Sequence, residues 1–303
     1  MGKLIVLEND YLQVKISPEV GASIYSLKYK KEGRWLDIMR PTPEKALEEK
    51  EVGDFASFNL FPYSNRIENG LLKFNGKEYQ LKINFDDGHA IHGEAWTRPW
   101  QVSAVEKNSV SLEFHSIDFD DISWPVPFRA EMKYYINENK FIIKMGIKNT
   151  GEKLMPAGMG IHPYFMRKLN SGMEKINLQM NTLGLYPGET QIPTGPWQAP
   201  PEKLNFTDGK ELPAVFLDDC FRVERGPIII EWKESDVKLT IAGDELLKHV
   251  VIYCPVGEEF FALEPVSNCN NGFNMAAEGI GDTGTLLLEP GKKAASEVSM
   301  KFE

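Results

Sequence analysis

Along much of this chain apolar side chains recur at every second position, and that period restricts the fold more than any other feature. The segments YLQVKIS (11–17), SIYSLKYK (23–30), SVSLEFHSI (109–117), RAEMKYYIN (129–137) and FIIKMGIKN (141–149) all show it. Successive side chains of a strand point to opposite faces, so alternation marks a strand with one face buried and one wet. Turn residues separate the runs, and Asn75-Gly76 between LLKF and KEYQL predicts a tight hairpin. Only TPEKALEEKEV (42–52) reads as helix, and it is short and charged enough to be a surface turn. Residues 185–206 hold five prolines and two glycines with little periodicity, between strand-like flanks. They are expected to form a long loop shaping one end of the fold. The expected architecture is all-β: a large antiparallel β-sandwich forming a single domain over residues 1–303.

Composition bounds the function. At 303 residues and 42% hydrophobic content the chain buries a sizeable core without a covalent staple. A net charge of −10 repels polyanions and no Lys/Arg run offsets it, so nucleic acid is not an expected partner. Cys220, Cys254 and Cys269 are an odd count without CxxC spacing, which suggests neither a disulfide framework nor a zinc site. The opening MGKLIVLEND lacks the pattern of a signal peptide, and no window approaches a membrane-spanning apolar run. A reducing cytoplasm is the expected location, with no membrane association. GIGDTG (279–284) matches G-x-G-x-x-G, but TLLLEPG follows instead of a helix, so it reads as a glycine-rich turn.

Five stretches place polar groups in aromatic or proline-rich surroundings. GHAIHGEAW (88–96) carries His89 and His92, and a metal clip, a proton-transfer site and a plain turn all fit it. Two histidines at that spacing face together only on a helix, which Gly88 and Gly93 oppose, so a metal held with Glu94 is the weaker reading. NLFPYSNRIENG holds Asn65 and Arg66, and in AGMGIHPYF the proline after His162 biases that residue to extended backbone. LDDCF sets Asp218 and Asp219 at a strand start, and FFALEPVSN puts Glu264 directly after four apolar residues, where a solvated carboxylate would be out of place. Each has a plainer reading: His162 as a satisfied strand residue, Arg66 as a fork between loops, Asp218 as a turn cap, Glu264 as a strand end in water. His115 and His249 sit in ordinary strand or loop context.

Taken in order, YSNRIENG…FNGKEYQL, HAIHGEAWTRPW, GMGIHPYF, LDDCF, ALEPVSN…GFN and LLLEPGKK resemble the aldose 1-epimerases, the galactose mutarotases and their bacterial relatives. The resemblance runs from about Asn9 to Glu303. It implies a β-supersandwich with an open sugar cleft and an isomerase that needs no cofactor and no metal. The implied substrate is a monosaccharide such as galactose or glucose, whose α and β anomers it interconverts. Carried over by motif, Glu264 matches the general base and His162 the general acid. Arg66 and His92 match sugar contacts, with Asn65 beside them, and Asp218 matches the residue that holds sugar hydroxyls. Trp96 would cover an apolar sugar face, and His89 is a rim or supporting residue. Where many relatives have Asp-His this chain has Asp218-Asp219, so either carboxylate is a candidate, the first preferred. Such chemistry predicts a rate that falls in acid as Glu264 protonates and in alkali as His162 loses its proton. The alternatives are a non-catalytic carbohydrate-binding protein and a hexose-phosphate 1-epimerase, which would want clustered cations; Arg98 and Arg129 are the nearest beside Arg66.

Overall fold

The computed structural model describes residues 3–303 apart from 171, 173 and 189. Among the described residues the strands assemble into a ten-stranded and a nine-stranded sheet, with three two-stranded ribbons at their margins. Neighbouring strands of both large sheets run antiparallel. The alternating runs form strands at Leu12–Ser17, Ser23–Lys31, Ser109–His115, Phe128–Asn137 and Lys140–Asn149. Asn75 and Gly76 both take positive φ in the hairpin between Leu71–Phe74 and Lys77–Gln80, as a two-residue turn of matching twist requires.

Phe128–Asn137 shows how the pattern becomes a layer. Its residues alternate between buried and half-buried along the strand. The inward set, Phe128, Ala130, Met132, Tyr134 and Ile136, shares one core with Leu12, Val14, Ile16 and Leu27 of the other sheet. Apart from Ala130, each such apolar side chain contributes roughly 1.5–3 kcal/mol by leaving water. Two polar ties cross the layer: Tyr134 Oη donates to the Ala22 carbonyl at 2.7 Å and Trp232 Nε1 to the Met166 carbonyl at 2.8 Å.

The middle of the ten-stranded sheet departs from alternation. Ser57–Leu60, Gly160–Met166, Phe260–Val266 and His249–Cys254 are buried along almost their whole length. Phe261 and Leu263 enter the shared core, whereas Ala262 and Val266 join Phe58, Tyr164 and Val251 in a second cluster on the opposite face. Both faces of these strands are thus largely withdrawn from water, and His249–Cys254 and Phe260–Val266 show the near-continuous apolar runs expected of such strands. Glu264, between Ala262 and Val266 on their side of the strand, therefore has no route to bulk solvent at a strand end.

The segment expected to be helical shortens to Glu44–Glu49, and Lys50 in the left-handed conformation ends it. Among the described residues between Leu185 and the short turn Glu202–Leu204 there is no regular strand, consistent with a shaping loop. Among the described residues, no helix is long and apolar enough to cross a membrane. The three cysteines are buried and free.

Candidate active site

Strands Gly160–Met166 and Phe260–Val266 pair so that Gly160 faces Val266 and Tyr164 faces Ala262. The same register sets His162 opposite Glu264, and His162 Nε2 lies 3.0 Å from Glu264 Oε1. The His162 ring is packed between aromatic neighbours, with Phe58 stacked at 4.5 Å and Tyr164 at 4.6 Å between centroids. Behind them the Arg40 guanidinium covers the Tyr164 ring at 3.9 Å and is held by the Gly53 and Phe55 carbonyls.

A two-residue ribbon supplies the next pair. Arg66–Ile67 pairs with Ala90–Ile91, which brings the SNRI and AIHG segments side by side. His92 N donates to the Asn65 carbonyl at 3.0 Å. Asn65 Oδ1 accepts from Arg66 N at 2.8 Å and from Arg66 Nη1 at 3.4 Å, so Asn65 positions the arginine. Arg66 Nε donates to Asp87 Oδ2 at 2.6 Å, and Nη1 stands 3.6 Å from Asp218 Oδ2. Within Leu217–Val223 the odd-numbered Leu217 and Phe221 enter the shared core while Cys220 joins the opposite cluster. Asp218 therefore points to the cleft side with Cys220, and Asp219 does not line the cavity.

Asn65, Arg66, His92, Trp96, His162, Asp218 and Glu264 line one cavity of about 350 Å³. Trp96 closes a wall, 5.2 Å from the Phe58 ring and 5.5 Å from His92. His89 stays outside, where its Nδ1 accepts from the Asn69 amide at 3.0 Å. Glu94 is turned to Ser123, accepting from its amide at 2.8 Å and its hydroxyl at 2.5 Å. His89, His92 and Glu94 thus do not converge. Among the described residues, no three His, Cys, Asp or Glu side chains are grouped so as to hold a metal ion.

Burial dictates the electrostatics. Desolvation pushes Glu264 well above the usual carboxylate range, with Asp218 adding to the effect and Arg66 opposing it. It pulls His162 down to about 3, helped by the positive charges of Arg40 and Arg66. His92 is lowered well below its ordinary value by burial, His162 and Arg66. Burial thus disfavours the charged form of both partners of the 3.0 Å contact. Nothing in the local sequence announces this, because desolvation is a property of the folded site alone. Asp218 is raised to about 6 by burial against the opposing pull of Arg66. Among the described residues, His162 Nδ1, His92 Nδ1 and Glu264 Oε2 are buried without a hydrogen-bond partner. Buried polar atoms are normally satisfied, so three orphans around one cavity mark a place where a ligand supplies the missing partners.

Several lining residues escaped the sequence reading. Tyr164 was within reach, since it lies two positions after His162 and so on the same strand face. Tyr253, Phe216 and Gln191 carried no local signal, because tertiary packing brings them to the cavity; the same holds for Asp87, which does not line it but pairs with Arg66. His249 is fully buried with Nδ1 bonded to the Ser267 carbonyl at 2.6 Å and Nε2 2.9 Å from Tyr186 Oη, a structural post behind the cleft floor.

The family model for aldose 1-epimerase matches residues 3–301. The chain belongs to the aldose 1-epimerase family. An uncharacterized member of the curated proteins, YihR of Escherichia coli (strain K12), is 30% identical over 240 residues, covering 77% of this chain and 74% of its own. The aldose 1-epimerase fold recurs in a galactose mutarotase-like protein from Clostridium acetobutylicum, with a TM-score of 0.86, 20% identity and coverage of 100% of this chain and 95% of that one. The GalM/aldose epimerase homologue from C. elegans superposes with a TM-score of 0.83 at 19% identity, covering 100% and 99% of the two chains.

Proposed function

We propose that this aldose 1-epimerase family member interconverts the α and β anomers of a neutral hexose by general acid–base ring opening. The observation that carries the reading is the contact of His162 Nε2 with Glu264 Oε1 at 3.0 Å inside a cavity with room for one pyranose. Opening the hemiacetal requires a proton to leave the C1 hydroxyl and another to reach the ring oxygen as the C1–O5 bond breaks. With sugar bound, the pair's proton sits on His162, which delivers it to O5 while Glu264 takes the hydroxyl proton. Rotation about C1–C2 presents the other face of the aldehyde, and the reverse transfers close the ring. The pair begins and ends with one proton, so no exchange with solvent is needed during turnover. A purely sugar-binding protein has no use for an acid and a base at this separation. Each such group typically contributes about 10²–10⁴-fold.

The charges favour an unphosphorylated sugar. Arg66 faces the carboxyl groups of Asp218 and Glu264 in the same cavity, and its guanidinium is already engaged by Asp87 and Asp218. Arg98 is bidentate to Asp121 at 2.7 and 3.0 Å, and Arg129 pairs with Glu113 at 2.7 Å. Neither lines the cavity, so a phosphate would meet carboxyl groups without a free cation. Polarimetry on freshly dissolved α-glucose and α-galactose tests the proposal directly: the approach to equilibrium should accelerate in proportion to protein. An unchanged rate on both, and on a wider panel of pure anomers followed by NMR, would refute it.

The pH dependence follows from the pair. Acid adds a second proton at the depressed His162 position, about 3, and alkali removes the only proton at the raised Glu264 position. Between them the one-proton state of the free enzyme persists, so the pair itself is expected to put no acid limb on kcat/KM above about pH 4. An acid limb of kcat/KM near the ordinary imidazole value of about 6.5 that persists in Asp218→Asn would contradict this. Asp218 adds an effect of its own: KM should rise as pH falls through about 6, because protonated Asp218 loses its charged acceptor. Asp218→Asn should raise KM about tenfold or more at neutral pH, as loss of a charge-assisted hydrogen bond does, and abolish that KM limb.

A further inference from the structure

Arg40 takes no part in the proton transfers proposed for the site and does not line its cavity. Its guanidinium lies 3.9 Å from the centroid of the Tyr164 ring and 4.6 Å from that of Phe260. Nη2 donates to the carbonyls of Gly53 at 2.6 Å and Phe55 at 2.8 Å, while Nε is buried without a partner. Among the described residues no carboxylate forms an ion pair with it, and Asp54 and Glu258 act on it only from farther off. A cation partly withdrawn from water is normally paired, since desolvation weighs against its charge. Here the charge stands uncompensated, one ring away from the catalytic imidazole: Tyr164 lies 4.6 Å from His162 between centroids. The backbone enforces this placement, because Arg40 N donates to the Tyr164 carbonyl at 2.9 Å and Met39 bridges to Phe165.

We propose that Arg40 is a positioning residue for the acid: through Tyr164 it fixes the plane of His162, and its uncompensated charge drives the His162 proton toward the ring oxygen of the sugar. This rests on the anomer-exchange reading above. A ring oxygen is a weak base, so proton donation to it gains from a stronger acid. The charged and titratable groups around His162 are Glu264 at 3.0 Å, His92 at 5.3 Å between centroids, Tyr164, and Arg66 and Asp218 in the same cavity. His92 is buried and favours its neutral form, and Arg66 is set against Asp87 and Asp218. Arg40 is therefore the nearby cation with no anion facing it. Its effect has the sign of the depressed His162 pKa, for which burial is the first cause and Arg40 the leading charge.

The test separates charge from packing. Arg40→Gln keeps an amide for the Gly53 and Phe55 carbonyls but removes the charge, Arg40→Met removes both, and Arg40→Lys keeps the charge without the fork. Two readouts are followed: anomer exchange of glucose and galactose by NMR, and the titration of the His162 imidazole in the free enzyme, assigned by its absence from His162→Asn. In the wild type and in Arg40→Lys, His162 should stay unprotonated down to about pH 4. Both neutral variants should raise its titration by about one pH unit or more, bringing it into view above that point, and lower kcat by about three- to tenfold. Arg40→Lys should recover most of kcat. Either neutral variant carries the prediction where the other does not fold. A titration unmoved in the neutral variants, or moved as far in Arg40→Lys, overturns the role of Arg40 and spares the anomer-exchange reading. No exchange by the wild type on these sugars or on the wider panel of anomers overturns both.

Discussion

Glu264→Gln is expected to lower kcat by about 10²–10⁴-fold while leaving KM within about threefold. The amide has the size of the carboxyl and still reaches His162, but it cannot take the proton of the C1 hydroxyl. Loss of fold is separable from loss of chemistry by the sign of the stability change. Burial raises the Glu264 pKa, so the folded state binds its proton more tightly than the unfolded chain does. A carboxyl of this kind weakens folding once the pH passes its unfolded value, and that penalty grows until the folded value is reached. Replacing it with Gln removes the penalty, so the urea midpoint at neutral pH should hold or rise as kcat collapses. Turnover that survives the substitution would show that another group is the base.

The second large effect concerns the backbone that carries His92. Gly93 has φ +79°, and a Cβ there would lie within 2.7 Å of three backbone atoms of Phe61 and Pro62, including the Phe61 carbonyl at 2.0 Å. All three belong to the backbone, so the strand or the loop must move. Gly93→Ala should cost about 3 kcal/mol or more, measured as a fall in the urea midpoint. Gly33→Ala is the control: φ is +80°, yet nothing lies within 4 Å of its added Cβ. That change should cost only about 1–2 kcal/mol, the penalty of a left-handed L-residue by itself. Equal losses at the two sites would mean that φ alone, and not the close approach to Phe61, demands glycine at residue 93. Because His92 precedes it with φ +60°, partial accommodation of Gly93→Ala should also raise KM.

Different parts of the molecule were legible to different degrees. Phe128–Asn137 and Lys140–Asn149 could be read almost to the residue, because each has one wet face and shows a clean period of two. The central strands could not. Ser57–Leu60 is buried on both faces although its Ser-Phe-Asn-Leu order alternates, so its period points to a wet face that the fold does not provide. The catalytic candidates were found through motif resemblance, while the local signals at His162 and Glu264 were slight: a following proline and a carboxylate after four apolar residues. Asp87 was missed because nothing near it in the chain announces the ion pair with Arg66 at 2.6 Å.

By itself the sequence determined which segments become half-buried strands, where the Asn75-Gly76 hairpin turns and that antiparallel sheets must pack face to face, since these follow from side-chain period and local turn chemistry. Only the tertiary structure decided that His162 stands opposite Glu264, that Asp218 and not Asp219 reaches the cavity, and that burial disfavours the charged forms of His162 and Glu264. Register couples residues far apart along the chain, and desolvation depends on everything packed around a group, so neither is written in any local window.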